Sequence, residues 1–435
     1  MYKMFLFSIF FQVAGFGQNY TSYFTGDTSN ITTNPKGGVC LMGGATEDDN
    51  AMKWFLQQAN GGDILVLRAT GSDGYNDYLY TTLGIPVNSV ETVVCNNANA
   101  SNDLYLAERI QRAEAIWFAG GDQWTYITYW RNTPVDSLVN RAIAERNIVI
   151  GGTSAGMVIQ GQHYFSAENG TVTSATAMAN PFGNLVTVDN APFIENEYLV
   201  NVITDTHFDS PDRRGRLATF LARIYADNGT YGKAIACDEY TAVCIDTNGI
   251  ARVYGGYPAY DEEAYFVQAN CDLVVQAPEI CSAGLPLTWN LGSQALKVYR
   301  VKGTAAGSNS FDLNDWKSVG GNGDWLDWSV NAGVFSEIPS VSIDCVLDLG
   351  VEADSFMLPI YPNPSTNKLK IETNGMDLSA AKIIMYNSLG QEISVPVSTA
   401  STNFIELNTS GLENGIYCLS VRLGNKIMCR KIVKQ

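Results

Sequence analysis

The chain has 435 residues, a net charge of −17, 46% apolar residues and 16% charged ones. That is enough for two or three domains, each with its own core. The acidic balance argues against nucleic acid, whose phosphates would be repelled, and two histidines cannot supply a His/Cys zinc cluster.

Residues 1–17 predict a signal peptide, with Lys3, a short apolar core over 4–11, and small residues at Gly15 and Gly17 that permit cleavage before Gln18. The apolar stretch is too short to span a bilayer. Residues 37–160 then alternate strand and helix. Short apolar runs at 39–42, 63–67, 90–94 and 115–118 read as strands, while 47–58, 104–112 and 136–146 carry helical periodicity. This alternation predicts an α/β fold: a three-layer parallel sheet with helices on both faces and a site at the carboxyl ends of the strands. Gly120 and Gly121 stand directly after one of those strands.

Residues 148–157 read Ile-Val-Ile-Gly-Gly-Thr-Ser-Ala-Gly-Met, a buried strand running into a small-residue turn that carries one serine. A nucleophile elbow needs this order, because its strained turn tolerates only small neighbours where the next helix packs on the strand. That helix would also aim free N–H groups at the site, where an oxyanion could sit. Ser154 is the candidate nucleophile, and it needs an imidazole to take its proton. His163, read as lying on the elbow helix, is roughly 13 Å away along the axis, too far for a hydrogen bond. His207 follows an extended apolar stretch at 198–203 and enters a loop, so it is the expected base. Glu168 is the expected acid, with Glu195, Glu197 and Asp205 as competitors.

From Lys233 the pattern changes to hairpins at 234–237, 241–246, 250–255 and 264–267, expected to close the sheet on one side. Cys271 and Cys281 bracket a short loop and are candidates for a bridge, whereas Cys237 and Cys244 read as buried thiols. Residues 261–350 predict a β-rich extension packed on the catalytic domain. Its tryptophans Trp316, Trp325 and Trp328 read as packing residues, with carbohydrate binding as the alternative. Its Asp/Asn run does not fit a calcium loop, so no metal is expected. Residues 351–435 consist of strand-like tracts with an extended, proline-rich approach, predicting a small β-sandwich.

Five ordered motifs make residues 37–260 similar to the cyanophycinase and dipeptidase E group of serine peptidases. They are Gly37-Gly38-Val-Cys-Leu-Met-Gly-Gly44, then Ile116-Trp117-Phe118-Ala119-Gly120-Gly121-Asp122-Gln123, and Gly152-Thr153-Ser154-Ala155-Gly156. Asp205-Thr206-His207-Phe208 with Gly215-Arg216-Leu217, and Asp238-Glu239-Tyr240-Thr241-Ala242, complete the set. The resemblance implies a flavodoxin-like or glutamine amidotransferase-like fold over 18–260 and amide hydrolysis of a peptide substrate through an acyl-enzyme, without cofactor. It gives Ser154, His207 and an acid after the elbow helix as the triad. It gives Gly121 and Ala155 as oxyanion donors, and Gln123, Asp205, Arg213 and Arg216 as substrate contacts. The chain departs from the cyanophycinase pattern at Thr206, where glutamine is usual, and at Pro211, which stands in place of the first of two arginines. Proline cannot grip a carboxylate bidentately, so the substrate does not follow from the resemblance.

Tyr361-Pro-Asn-Pro364, Tyr386-Asn-Ser-Leu-Gly390, Gly415-Ile-Tyr417 and the ending Lys431-Ile-Val-Lys-Gln435 resemble the type A sorting domain of the type IX secretion system. That resemblance implies the type IX machinery as a partner and export across the outer membrane to the surface or beyond. A catalytically silent surface-binding protein on the same fold is the alternative function. An ordinary α/β-hydrolase esterase would share the elbow but expects its histidine far downstream, and none follows His207.

Overall fold

A computed structural model describes residues 18–345, 358–373, 378, 381–387, 391–401, 403–423 and 426–435. The expected signal peptide lies outside the described residues. The chain divides into two compact units, Met1–Cys345 and Val346–Gln435.

The first unit begins with β1 (Tyr20–Gly26), β2 (Val39–Met42), α1 (Asp49–Gln58), β3 (Asp63–Arg68), β4 (Ser89–Cys95), α2 (Leu104–Arg112), β5 (Ala115–Phe118), α3 (Gln123–Trp130), α4 (Pro134–Arg146), β6 (Val149–Thr153) and α5 (Ala155–Val158). It continues with β7 (Tyr164–Phe165), α6 (Ser174–Ala179), β8 (Val188–Asp189), β9 (Val202–Asp205), α7 (Arg214–Asn228), β10 (Lys233–Cys237), β11 (Ala242–Ile245) and β12 (Ile250–Tyr257). It ends with β13 (Glu263–Ala269), β14 (Leu296–Lys302), β15 (Asn309–Asp312), β16 (Val319–Gly320), β17 (Gly323–Asn331) and β18 (Val334–Pro339).

Sheet one has the order β1-β4-β3-β5-β6-β2-β11-β12-β15-β16. Its centre, β4 through β2, is parallel, as the alternation of strand and helix predicts, while β1 and the strands from β11 onward run antiparallel. The central strands are buried on both faces, which is why they read as continuous apolar runs. Along β2, Val39 and Leu41 face a core shared with Leu106, Ile110 and Val139 of α2 and α4, while Cys40 and Met42 face Ala51, Met52 and Phe55 of α1. Helices therefore cover both faces. Asp48 starts α1 by accepting the N–H groups of Asn50 and Ala51.

The hairpin series does not close a single sheet. β11 and β12 extend sheet one, whereas β10 and β13 enter a second sheet of order β18-β17-β14-β13-β10-β9. The boundary expected at 260 falls within this second sheet: β13, β14, β17 and β18 supply four of its six strands, so 261–339 is built in rather than laid on. Trp316 and Trp328 are buried and Trp325 packs against the core, which corrects the carbohydrate alternative. The bridge expected between Cys271 and Cys281 is also corrected. Cys271 bonds Cys345, 74 positions away, with 4.9 Å between the Cα atoms. The chain returns to that point because Asp272 accepts the N–H groups of Asp344 (3.2 Å) and Cys345 (2.8 Å).

The second unit has two four-stranded sheets among its described residues, built from strands between Ile360 and Lys434. Leu369, Ile371, Leu407, Leu419, Val421 and Ile432 lie in its core, as the expected small β-sandwich requires.

Candidate active site

β6 delivers Ser154 at its carboxyl end, with φ 53° and ψ −118°. That strained conformation is the elbow itself. Its neighbours must be small: a Cβ on Gly156 would come 2.7 Å from the Phe118 carbonyl carbon, and one on Gly152 would come 2.8 Å from the Phe118 carbonyl oxygen. The helix behind the elbow, α5, ends at Val158, so His163 is not on it. His163 is buried, with Nδ1 2.8 Å from the amide oxygen of Asn190 and Nε2 3.0 Å from that of Asn201. It is a structural residue.

His207 comes from the second sheet, two positions beyond β9. Its Nε2 lies 2.8 Å from Ser154 Oγ. The loop after β2 backs it: His207 N–H donates to Gly43 O at 2.8 Å, and the imidazole packs on Gly44. A Cβ on Gly44, whose φ is 119°, would stand 2.5 Å from Nε2. Gly44→Ala is therefore expected to displace the ring and cut kcat about 100-fold, the cost of roughly an ångström of misplacement. Steady-state kinetics beside a melting curve check this, and full kcat would show that the ring does not depend on Gly44.

The carboxylate on the far side of the imidazole is that of Glu239. Its Oε1 stands 2.6 Å from His207 Nδ1, and both side chains are about a quarter exposed. Glu168 is elsewhere, lining a shallow cavity with Ser166, Asp189 and Arg223. Its neighbours Ala167, Gly170 and Thr171 line a cavity at Ser154, but Glu168 itself lines the shallow one, and Glu239 meets His207 Nδ1. The signal that was missed is strand register. β9 and β10 pair in parallel, with Asp205 beside Ala236, so the segments leaving both strands emerge side by side. Asp238, next to Glu239, is buried; burial and the nearby Asp209, Glu263 and Glu262 push its pKa up to about 8. Burial thus favours the uncharged form of this carboxyl.

Two cavities meet at Ser154 and His207. The smaller, about 300 Å³, is lined by Gly121, Gln123, Ala155, Thr206, Arg213 and Arg216 among others. The N–H groups of Gly121 and Ala155 have no hydrogen-bond partner among the described residues. Gln123 opens α3, with its Nε2 3.5 Å from Phe165 O. Arg213 donates from Nη1 to Thr206 O at 2.8 Å, and burial together with Arg216 lowers its pKa, a shift that an incoming anion would reverse. Asp205 and Arg216 hold each other instead of presenting free charges. They form a bidentate pair, both nearly fully buried, and Phe165 and Phe220 lie against the guanidinium. A buried charge has to be paired, so Asp205 is committed to fixing the β9 exit. The larger cavity, about 700 Å³, carries Glu47, Asp49, Arg68, Tyr75 and Tyr78. Tyr75 Oη donates to Glu47, and Tyr78 Oη donates to Asp49 at 2.8 Å.

Residues 43–252 match the family model described as peptidase family S51. Residues 359–435 match a secretion system C-terminal sorting domain. The S51 match joins the two sheets, since it runs from the loop behind His207 to β12. The chain is 28% identical over 231 residues to proteins called cyanophycinase from Synechococcus elongatus and Thermosynechococcus vestitus, covering 51% of this chain and 66% of each relative. It is 26% identical over 148 residues to a cyanophycinase from Geminocystis herdmanii, covering 34% and 48%. The chain thus spans less than two thirds of the length of these relatives. Among solved structures, a peptidase from an acI-B1 actinobacterium aligns with a TM-score of 0.41 and 15% identity, covering 64% of this chain and 98% of that one. A putative peptidase E protein from Listeria monocytogenes aligns with a TM-score of 0.32 and 12% identity, covering 51% and 98%. The resemblances drawn from the motifs thus hold for both parts of the chain. Among the described residues no cluster of His, Cys, Asp or Glu could hold a metal ion, and no helix is long and apolar enough to cross a membrane.

Proposed function

We propose that this protein is an exported serine peptidase that hydrolyses an aspartate-linked amide or isopeptide bond. The observation that carries the reading is the continuous line Ser154 Oγ, His207 Nε2, His207 Nδ1, Glu239 Oε1, with links of 2.8 Å and 2.6 Å. His207 takes the Ser154 proton as Oγ attacks the substrate carbonyl, and Glu239 fixes the tautomer and steadies the imidazolium. Gly121 and Ala155 N–H groups receive the oxyanion. Collapse expels the amine with the proton held by His207, and water then releases the acid by the same route in reverse.

The smaller cavity suits the aspartyl side, with Arg213 and Gln123 as donors to its free carboxylate. The larger cavity suits the amine component, and its carboxylates Glu47 and Asp49 favour a basic one. Pro211 stands where the cyanophycinase pattern has its first arginine, which favours an Asp-containing or isoaspartyl peptide other than cyanophycin as the substrate. The sorting domain supports type IX export to the cell surface or beyond.

A fluorophosphonate probe tests the chemistry. The adduct is expected on the peptide that carries Ser154, and an unlabelled protein overturns the reading. Specificity is tested by a hydrolysis panel of cyanophycin, β-Asp-Arg, isoaspartyl peptides and α-Asp dipeptides. Arg213→Ala is expected to raise KM for the preferred substrate roughly 10- to 100-fold, the worth of one charge-assisted hydrogen bond. Unaltered KM rejects the carboxylate-gripping role.

A further inference from the structure

Cys40 on β2 and Cys244 on β11 are directly opposed in an antiparallel pair. Gly43 N–H donates to Thr241 O at 2.9 Å, which marks Gly43 and Thr241 as a hydrogen-bonded position. Positions alternate along an antiparallel ladder, so Cys40 and Cys244, three steps on, occupy a non-hydrogen-bonded position, where side chains stand closest. Their Sγ atoms are 3.7 Å apart. Both belong to the core face under α1, with Met52, Phe55 and Trp117. Cys237, the other thiol nearby, lies in the core on the opposite face of the sheet. The sorting domain directs the chain out of the reducing cytoplasm, and a Cys271–Cys345 bridge is already part of the same unit.

We propose that in the exported protein Cys40 and Cys244 are joined in a second, cross-strand disulfide that ties β2 to β11. The Cα spacing of such a pair, roughly 4.5 Å, falls within the range a disulfide spans, and a side-chain rotation closes the remaining gap. The oxidant is a protein disulfide donor of the export compartment. One cysteine thiolate attacks the donor disulfide and releases a donor thiolate. The second cysteine then attacks the mixed disulfide, and the second donor sulfur leaves. Two protein thiols thus lose two protons and two electrons, and the donor disulfide becomes two thiols. Both sulfurs are fully buried, and burial pushes the Cys244 thiol well above its usual pKa. Exchange needs an accessible thiolate, so the bond forms before α1 closes over the strands and is then shielded from reductants. The bond would lock the strand leading to Gly43 and Gly44, which back His207, to the strand that follows Glu239.

The full chain, collected from a type IX-competent host, is unfolded in denaturant with iodoacetamide and no reductant, then digested and weighed. The expected product is the Cys40 peptide joined to the Cys244 peptide, lighter by two hydrogens than the two thiol peptides together. The same chain made in a reducing cytoplasm should carry both cysteines alkylated. Recovery of both as alkylated thiols from the exported protein overturns the proposal, and so does either one bonded to Cys237 or to any other cysteine.

Discussion

Ser154→Ala is expected to lower kcat/KM on any amide substrate by about 10⁴- to 10⁶-fold, with the melting temperature within a few degrees of the parent. The size follows from the chemistry: without Oγ no acyl-enzyme forms, and only binding and the oxyanion donors remain. The fold should tolerate the change, because alanine keeps the small volume the elbow demands. Active-site titration with a fluorophosphonate reads the result directly. A variant that still labels, or still turns over at near-parental rate, would move the nucleophile elsewhere.

The second large effect separates two carboxylates. Glu239→Gln is expected to cost about 10²- to 10⁴-fold in kcat near neutral pH, because an amide oxygen neither fixes the imidazole tautomer nor steadies its cation as a carboxylate does. Glu168→Gln should stay within about threefold of the parent, as expected of a surface change away from the reacting groups. Equal losses in the two variants would refute the assignment of Glu239.

Much of this site was legible because its local signals are strong. The apolar run into Gly152-Thr153-Ser154-Ala155-Gly156 announces a strand, a strained turn and a nucleophile within ten residues. Scarcity of histidine then pointed to His207 as the partner of Ser154. The carboxylate that meets His207 was not legible from spacing. Glu239 reaches His207 only because β9 and β10 run parallel in adjacent positions, and register between distant strands leaves no short-range mark. Glu168 was closer in sequence to Ser154, but it lines a different cavity while Glu239 meets the imidazole. The charged motif residues misled in a related way. Asp205 and Arg216 looked like substrate contacts, yet their burial made each the other's partner.

The second sheet was hidden for the same reason. Hairpins at 234–267 carry identical alternation whether they extend one sheet or found another, and here consecutive strands divide between the two. In consequence Ser154 and His207 come from different sheets. The interval between 271 and 281 suggested a bridge, but loop length says nothing of where the chain returns; buried Ile343 and the contacts of Asp272 and Lys317 with residues 344–345 bring Cys345 back.

That return has a mechanical meaning. Any tension applied through the second unit enters the first unit at Cys345. Without a crosslink the load would act on β18, the border strand of the second sheet, and unzip it from β17 one hydrogen bond at a time. With Cys345 bonded to Cys271, the load passes through sulfur to the end of β13, and residues 272–344 carry none of it. The unit can be hauled by its tail without being peeled.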